Sequence, residues 1–168
     1  MPEDEGIGEV RFLAVDGIDA GKYEYNFRID GKVCLDPYVR EVAGREAFGK
    51  KRDLQKHEIR GKIVSPEYDW ENDRRLHLPW NEVVAYSLHV RGFTKHSSSK
   101  VAHKGTYLGI IEKIPYLQQL GINQIQCMPV YEFEECGKTK INYWGYGPAH
   151  YFAPKEAYAA GNSAVREL

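Results

Sequence analysis

Fold class follows from Val83-Val84-Ala85-Tyr86-Ser87-Leu88-His89-Val90, an apolar and β-branched run that is typical of a strand covered on both faces. A second apolar run, Ile122–Val130, predicts another buried strand. Between the two, Gly105–Gly121 has apolar residues at helical spacing, and Gly121 suits the left-handed residue that closes a helix. A strand, a helix and a strand in this order predict a βαβ unit, which requires a parallel sheet and a right-handed crossover.

The predicted helix contains one residue that helix interiors rarely tolerate. Its apolar face comprises Ile110, Ile114, Leu117 and Leu120. Pro115 lies among them, lacks an N–H and would clash with the preceding turn of a regular helix. We therefore expect the regular helix to begin near residues 111–113, where the missing N–H costs little.

The first third of the chain has β patterns. Val10–Val15 is apolar enough for a strand and is followed by the turn signal Asp16-Gly17. Tyr23–Asp30 alternates strictly between apolar and polar residues, which predicts a half-buried antiparallel strand. Asp30-Gly31 suits a two-residue hairpin turn into a partner strand at Lys32–Leu35.

The remaining segments are less regular. Val42–Gly49 predicts an irregular connection, and Ile59–Val64 predicts a short strand. A boundary is expected near Pro79, beyond which the pattern changes class. At the other end, Ala164–Leu168 predicts a helix capped by Asn162 or Ser163.

Composition excludes several classes of protein. The 168 residues are 42% hydrophobic and 28% charged, as in soluble globular proteins. The formal net charge of −1 argues against a nucleic-acid partner, which requires a basic face. No stretch approaches the ~18 apolar residues of a membrane helix, and the acidic Met1–Glu5 does not begin a signal peptide. We expect no membrane partner.

The cysteines and histidines indicate no bound group. Cys34, Cys127 and Cys136 form no CxxC motif and cannot all pair, which favours a reducing, cytoplasmic setting. Cys127 lies in an apolar run and is expected in the core. The six histidines show no metal-ligand spacing, so we expect no metal and no cofactor.

An aromatic loop follows the second predicted strand. It reads Asn142-Tyr143-Trp144-Gly145-Tyr146-Gly147-Pro148, and such flat faces on a tight backbone suit the C–H patches of a sugar ring. The alternative is that Trp144 and Tyr146 only pack the loop. His89 and Arg91 follow the first strand, at the carboxyl edge where α/β folds bind ligands. They either support loops through a hydrogen bond and a salt bridge, or support a sugar pocket.

Three carboxylates near the loop are candidates for acid/base chemistry. Glycoside cleavage needs two carboxyl groups that flank the bond, and Glu132, Glu134 and Glu135 all lie close by in sequence. Their spacing does not single out a pair. We interpret Glu134-Glu135 as a solvated loop edge and assign no catalytic residue.

Four motifs, in order, resemble one group of glycoside hydrolases. Tyr86–Thr94 is similar to the first barrel strand of pullulanases, isoamylases and glycogen debranching enzymes. Gly105–Leu117 resembles their first helix, and Met128–Phe133 resembles their second strand and its exit. Asn142–Pro148 and Tyr151–Pro154 resemble their substrate loop. The chain is therefore identified as similar to the alpha-amylase superfamily.

The resemblance implies a division of the chain. Residues 80–168 would be the first β-α-β portion of a (β/α)8 TIM barrel, which needs ~250 residues to close. Tyr23–Gly31 with Asp36-Pro37-Tyr38 resembles the last strands of the antiparallel β-sandwich carbohydrate-binding module that precedes such barrels. Residues 1–40 would then be the end of that module, and 41–79 a linker. The rest of the polypeptide would be needed to complete the barrel.

The resemblance also implies a function. It implies hydrolysis of α-1,6-glucosidic bonds in pullulan, glycogen or limit dextrin by a retaining mechanism, with an α-glucan as partner. Tyr146 would stack on the glucose before the scissile bond, and Trp144 and Tyr143 would shape that pocket. Asn142, His89 and Arg91 complete the expected substrate-binding set. The nucleophilic Asp, the acid/base Glu and a second Asp lie on later strands of the family, so we expect this chain alone to be inactive.

Two departures and two alternatives accompany the resemblance. Ser87 stands where the family commonly has Glu, and Gly147 where it often has Asn or Asp. One alternative function is glucan transfer by a branching enzyme, although His89–Thr94 looks more like debranching enzymes. The other is a non-catalytic α-glucan-binding fragment, for which Tyr23, Tyr25, Trp70 or Trp80 offers stacking surface.

Overall fold

The protein is described by a computed structural model that covers residues 6–137, 140–161 and 163–168. The predicted cap Asn162 lies outside the described residues. Ser163 stands at the capping position of the last helix, but its side chain makes no capping hydrogen bond.

The described residues form eleven short strands. In chain order they are β1 (Gly6–Ile7), β2 (Val10–Arg11), β3 (Glu24–Tyr25), β4 (Phe27–Ile29), β5 (Lys32–Cys34), β6 (Val42–Ala43), β7 (Arg60–Lys62), β8 (Ala85–Leu88), β9 (Gln124–Cys127), β10 (Tyr131–Phe133) and β11 (Pro148–Pro154). They make five small sheets. The order β3-β7-β6 forms an antiparallel sheet, β8 and β9 form a parallel pair, and β1–β2, β4–β5 and β10–β11 are antiparallel pairs.

The helices are also short. They are α1 (Val90–Lys95), α2 (Tyr107–Ile111), α3 (Ile114–Gln119) and α4 (Ala164–Glu167), and single 3-10 turns span Leu54–Lys56, Trp80–Glu82, Ser97–Ser99 and Glu156–Tyr158. None of the helices in the described residues is long and apolar enough to cross a membrane. The predicted helix after residue 163 is confirmed as α4.

The parallel strand pair expected from the sequence is present. β8 pairs with β9 from Ala85↔Gln124 to Leu88↔Cys127, and the helices between them make the crossover. The helix predicted over Gly105–Gly121 is divided into α2 and α3, and its regular part, expected to begin near residues 111–113, begins at Ile114 as α3. Pro115 lies in the first turn of α3, where its missing N–H removes no helical hydrogen bond.

The prediction that both strands are covered on both faces is wrong. Tyr86, Leu88 and Ile125 pack toward the main core, whereas Ala85 and Ser87 on the opposite face are exposed. In β9 the corresponding exposed residues are Gln124 and Gln126, and Cys127, expected in the core, is exposed too. The polar residues alternate with the apolar ones, and this period of two marks a face open to solvent.

The strand predicted over Tyr23–Asp30 is divided between two sheets. β3 pairs with the distant β7, whereas β4 pairs with the adjacent β5, and Ile29 is 58% exposed instead of half-buried. The hairpin itself is confirmed. Asp30 and Gly31 have φ values of 49° and 77°, as a two-residue turn with left-handed central residues requires. The strand expected over Val10–Val15 is limited to β2.

The segment from residue 41 onward is more ordered than an irregular connection. The irregular assignment of Val42–Gly49 is wrong at its start, because β6 pairs with β7. The short strand predicted within Ile59–Val64 is confirmed as β7. Val39 and Val42 are fully buried and pack with Ala153 of β11, so this part of the chain packs directly against the C-terminal hairpin.

A fully buried lysine lies at the centre of the β10–β11 hairpin. Lys155 Nζ is 2.5 Å from Glu132 Oε1 and also contacts the carboxylate of Glu135. It donates to the backbone carbonyl of Phe133 at 3.1 Å. All three charged side chains are fully buried, and a buried charge is tolerated only when it is paired in this way.

Two arginines join this hairpin to the N-terminal half. Arg45 lies 2.9 Å from Glu134, and Arg52 lies 3.3 Å from Glu135. The interpretation of Glu134-Glu135 as a solvated edge is therefore wrong for Glu135, which is fully buried. The reason lies outside the local sequence, because Lys155 and Arg52, the latter 83 positions away, supply the cations for Glu135.

Replacing the buried lysine tests how far the fold depends on it. Lys155→Met leaves Glu132 and Glu135 buried without that cation, so we expect the free energy of unfolding to fall by about 3–5 kcal/mol. Urea unfolding followed by circular dichroism measures the loss. Lys56→Met, which removes an exposed pair with Asp53, is the control and should cost less than ~1 kcal/mol. Equal losses in both variants would contradict the prediction.

A second charged contact ties β7 to the turn after β11. Lys62 Nζ lies 3.0 Å from Glu41 and 2.7 Å from Glu156. Burial raises the pKa of Glu156 to about 7, although the hydrogen bond from Lys62 lowers it. Burial lowers the pKa of Lys62, but its hydrogen bonds to Glu156 and Glu41 outweigh this and leave it raised.

The raised pKa of Glu156 predicts a pH dependence of stability. Folded Glu156 binds its proton more tightly than the unfolded chain does, so the free energy of unfolding falls as pH rises from about 4.5 to about 7. Glu156→Gln removes this contribution. Urea unfolding at pH 5 and pH 7.5 should therefore show the wild type losing stability relative to the variant. A difference that stays constant with pH would refute the assignment.

Candidate functional site

His89 anchors the aromatic loop at the carboxyl end of β8. It is the N-cap of α1, and its Nδ1 accepts a hydrogen bond from the Gly92 N–H at 2.9 Å. The imidazole hydrogen therefore lies on Nε2, which donates to the Tyr143 carbonyl at 2.8 Å. Burial lowers the pKa of His89, and the positive charge of Arg91 lowers it further, so the ring is neutral at pH 7.

Stacked rings extend from this anchor to the protein surface. The His89 and Tyr143 rings are parallel within 7°, with centroids 4.3 Å apart. Trp144 meets Tyr143 edge to face at 5.4 Å. The exposed fraction rises outward, from 37% at Tyr143 to 55% at Trp144 and 69% at Tyr146. Trp144 and Tyr146 thus present ring surface to solvent and are not packed into the interior.

Asn142 shapes the turn of the loop. Its side-chain amide donates to the carbonyls of Glu134 and Tyr146, both at 3.3 Å, and its Oδ1 accepts from the Gly145 N–H at 3.1 Å. Its own N–H donates to the Glu135 carbonyl at 2.7 Å. The amide is engaged within the loop, and the expected contact of Asn142 with a sugar stays a prediction.

Gly145 brings the loop down onto the core. Its φ is 82°, and a Cβ atom here would lie 2.6 Å from the buried ring of Phe133. Both the left-handed backbone and the close approach exclude a larger residue. The aromatic residues on either side are consequently directed outward.

Arg91 is connected to the aromatic loop through the ring of Phe48. Its guanidinium lies 4.5 Å from the centroid of the Phe48 ring, in a cation–π contact. Phe48 in turn meets the Tyr143 ring at 6.3 Å. The structure thus brings together His89, Arg91 and Tyr143, as expected, but through Phe48, which the sequence reasoning missed. No local signal could have identified it, since Phe48 lies far from the loop in sequence.

Tyr158 was also missed. Its hydroxyl lies 3.2 Å from His89 Nε2, and its ring stacks on Phe48 at 6.2 Å. Burial raises the pKa of Tyr158, so the hydroxyl keeps its proton. Tyr158 therefore supports the anchor from the core side.

The nearby carboxylates are not arranged for bond cleavage. Glu132 and Glu135 are fully buried and share Lys155, which removes them from contact with a bound sugar. Within residues 6–137, 140–161 and 163–168, no group of three His, Cys, Asp or Glu side chains could hold a metal ion. What the site offers is aromatic surface for binding.

Comparisons with known proteins point to glucan-processing enzymes. Isoamylase 1 of Arabidopsis thaliana is 36% identical in an alignment of 165 positions that covers 83% of this chain and 21% of the isoamylase. The glycogen operon protein GlgX homolog of Haemophilus influenzae is 35% identical in an alignment of 180 positions that covers 93% of this chain and 27% of that protein. The chain thus spans about a quarter or less of their lengths. No protein-family model matches it.

The fold is similar to solved debranching-type structures. The pullulanase of Anoxybacillus, crystallised with maltotriose, superposes with a TM-score of 0.61 at 26% identity over 86% of this chain and 22% of the pullulanase. The sequence comparison and the fold comparison therefore indicate the same family. The chain belongs to the alpha-amylase superfamily, among the isoamylases, glycogen debranching proteins and pullulanases.

Proposed function

We propose that this chain contributes the substrate loop of an α-glucan debranching hydrolase that cleaves α-1,6-glucosidic bonds with retention of configuration. The relatives at 35–36% identity are an isoamylase and a GlgX homolog, and the solved pullulanase carries maltotriose. These names favour debranching over glucan transfer by a branching enzyme. Pullulan, glycogen and limit dextrin are the candidate substrates.

The observation that carries the proposal is the anchored aromatic loop. The stack of His89 on Tyr143 fixes the loop at the carboxyl end of β8, the edge at which barrel enzymes bind substrate. Exposed rings at Trp144 and Tyr146 then match the apolar faces of glucose. Tyr146 is proposed to stack on the glucose before the scissile bond.

The proposal divides binding from bond cleavage. Retaining hydrolysis needs two carboxyl groups about 5–5.5 Å apart beside the substrate. Glu132 and Glu135 are buried and ion-paired, so we assign the nucleophile and the acid/base to other strands of the complete barrel. In this division β8 and β9 are the first two barrel strands.

Domain organisation and location complete the proposal. Residues 80–168 are proposed as the start of the barrel, 1–40 as the end of a carbohydrate-binding module and 41–79 as the connection. The contacts of Arg45 and Arg52 with the β10–β11 hairpin support a connection that is packed instead of free. A reducing, cytoplasmic setting is consistent with free thiols at Cys34, Cys127 and Cys136.

Glucan binding without hydrolysis is the second candidate for the chain by itself. The pairing of Glu132 and Glu135 with Lys155 favours it, since it leaves the aromatic loop without a reactive carboxyl partner from its own hairpin. Release of reducing ends from pullulan by the purified 168-residue chain would exclude this candidate.

The stacking role of Tyr146 predicts a loss of affinity. Removing its ring exposes about 50 Å² of apolar sugar surface, which at ~25 cal/mol per Å² is about 1 kcal/mol, or roughly a fivefold to tenfold weaker Kd. Isothermal titration of Tyr146→Ala with maltotriose measures this. Tyr116→Ala is the control, because Tyr116 is also an exposed tyrosine, at 47%, but lies on α3 outside every segment that resembles the substrate loop.

Two results would count against the assignment. Unchanged affinity in Tyr146→Ala would place the sugar elsewhere on the chain. Equal weakening in Tyr116→Ala would mean that the loop is not the specific site.

A further inference from the structure

We propose that Phe48, from the N-terminal half of the chain, is a positioning residue for the aromatic loop. Its segment, residues 45–52, is called the N-terminal strap below. The glucan part of this inference rests on the proposed function, whereas the positioning part concerns the loop alone. Three observations support it: how the strap is held, what Phe48 touches and how the contact reaches the exposed rings.

The strap is fixed to the base of the loop. The Gly49 N–H donates to the Glu135 carboxylate at 2.6 Å, and Arg52 reaches the same oxygen at 3.3 Å. The Cys136 thiol donates to the Gly49 carbonyl at 3.3 Å. The backbone carbonyl of Glu135 accepts from the Asn142 N–H, at the first residue of the aromatic loop. Glu135 therefore holds the strap with its side chain and the loop with its backbone.

Phe48 lies at the centre of an aromatic cluster beneath the loop. Its ring stacks on Tyr158 with an interplanar angle of 14° and meets Phe133 and Tyr143 edge to face. The Arg91 guanidinium covers it at 4.5 Å. These contacts come from α1, β10, the loop and the turn after β11, so one side chain links every element that supports the loop.

Phe48 reaches the exposed rings through Tyr143. Tyr143 is held between Phe48 on its edge and His89 on its face, and it meets Trp144 edge to face. Without the Phe48 ring, Tyr143 keeps its stack on His89 and its contact with Trp144, but loses the edge contact that fixes its rotation about the His89 face. Trp144 and the neighbouring Tyr146 would then lose their fixed orientation, and ordering them would cost affinity on binding.

The contacts are more specific than filling of space. Cation–π and edge-to-face contacts depend on the ring faces and not on apolar volume. Phe48→Tyr keeps the ring, whereas Phe48→Leu and Phe48→Met keep apolar volume without it. If Phe48 positions the loop, Phe48→Leu and Phe48→Met disturb the loop and Phe48→Tyr does not. If Phe48 only fills space in the core, the three variants behave alike.

The first test measures the environment of Trp144 in the aromatic loop. In a background of Trp70→Phe and Trp80→Phe, Trp144 is the sole tryptophan of the chain. Phe48→Leu should shift its fluorescence to longer wavelength and increase quenching by acrylamide, and Phe48→Tyr should restore both. Phe12→Leu, which replaces an exposed phenylalanine outside the loop and its supporting elements, is the control and should change neither. Unchanged Trp144 fluorescence in folded Phe48→Leu would overturn the proposal.

The second test measures the affinity of the chain for maltotriose. We expect Phe48→Leu to weaken the affinity for maltotriose by about fivefold, which is equivalent to the ~1 kcal/mol of one aromatic pair. Phe48→Tyr should restore the affinity. Circular dichroism confirms folding, and Phe48→Met replaces Phe48→Leu if the latter is unfolded. If Tyr146→Ala weakens binding and Phe48→Leu does not, the sugar site stands and the positioning role fails. If the unsubstituted chain binds no maltotriose, the proposed function fails for this chain, and Trp144 fluorescence alone decides the positioning role.

Discussion

The aromatic loop and its support both depend on the ion pairs that the buried ammonium of Lys155 forms. This ammonium lies between the carboxylates of Glu132 and Glu135 with all three side chains removed from solvent. Glu135 in turn holds Arg52 and the Gly49 N–H, and so draws the N-terminal half onto the hairpin. Because a buried charge must find its partners, this network specifies one arrangement of segments that are far apart in sequence.

The same pairing determines which chemistry the hairpin can perform. A carboxylate that acts as nucleophile or general acid must reach the substrate, and its pKa must allow it to change protonation state or attack. Glu132 and Glu135 are fully buried and share Lys155, while Arg45 and Arg52 supply further positive charge to Glu132 and Glu135, respectively. They therefore serve structure, and the ring surface that the loop exposes to solvent belongs to Trp144 and Tyr146.

The sequence pattern predicted the elements that depend on neighbouring residues or on the order of segments along the chain. The hairpin at Asp30-Gly31 and the tolerance of Pro115 near a helix start follow from neighbouring residues, and the parallel pairing of β8 with β9 follows from the order of strand, helix and strand. The loop motif also directed attention to Trp144. What sequence reasoning missed depends on contacts between segments that are distant in the chain, such as those of Arg45 with Glu134 and of Tyr158 with His89. Periodicity has no information on such partners, so a buried Glu135 looked like a solvated one.

The support beneath the loop explains how rings can be exposed and still keep a fixed orientation. Exposed aromatic surface gains nothing from the core, so its orientation must come from neighbours that are themselves fixed. Tyr143 has two such neighbours, the neutral imidazole of His89 on one face and the edge of Phe48. His89 can fill this role only while it is neutral, since its Nδ1 must accept from the Gly92 N–H. Burial lowers the pKa of His89 and so favours the neutral ring, which is part of what holds the loop in one conformation.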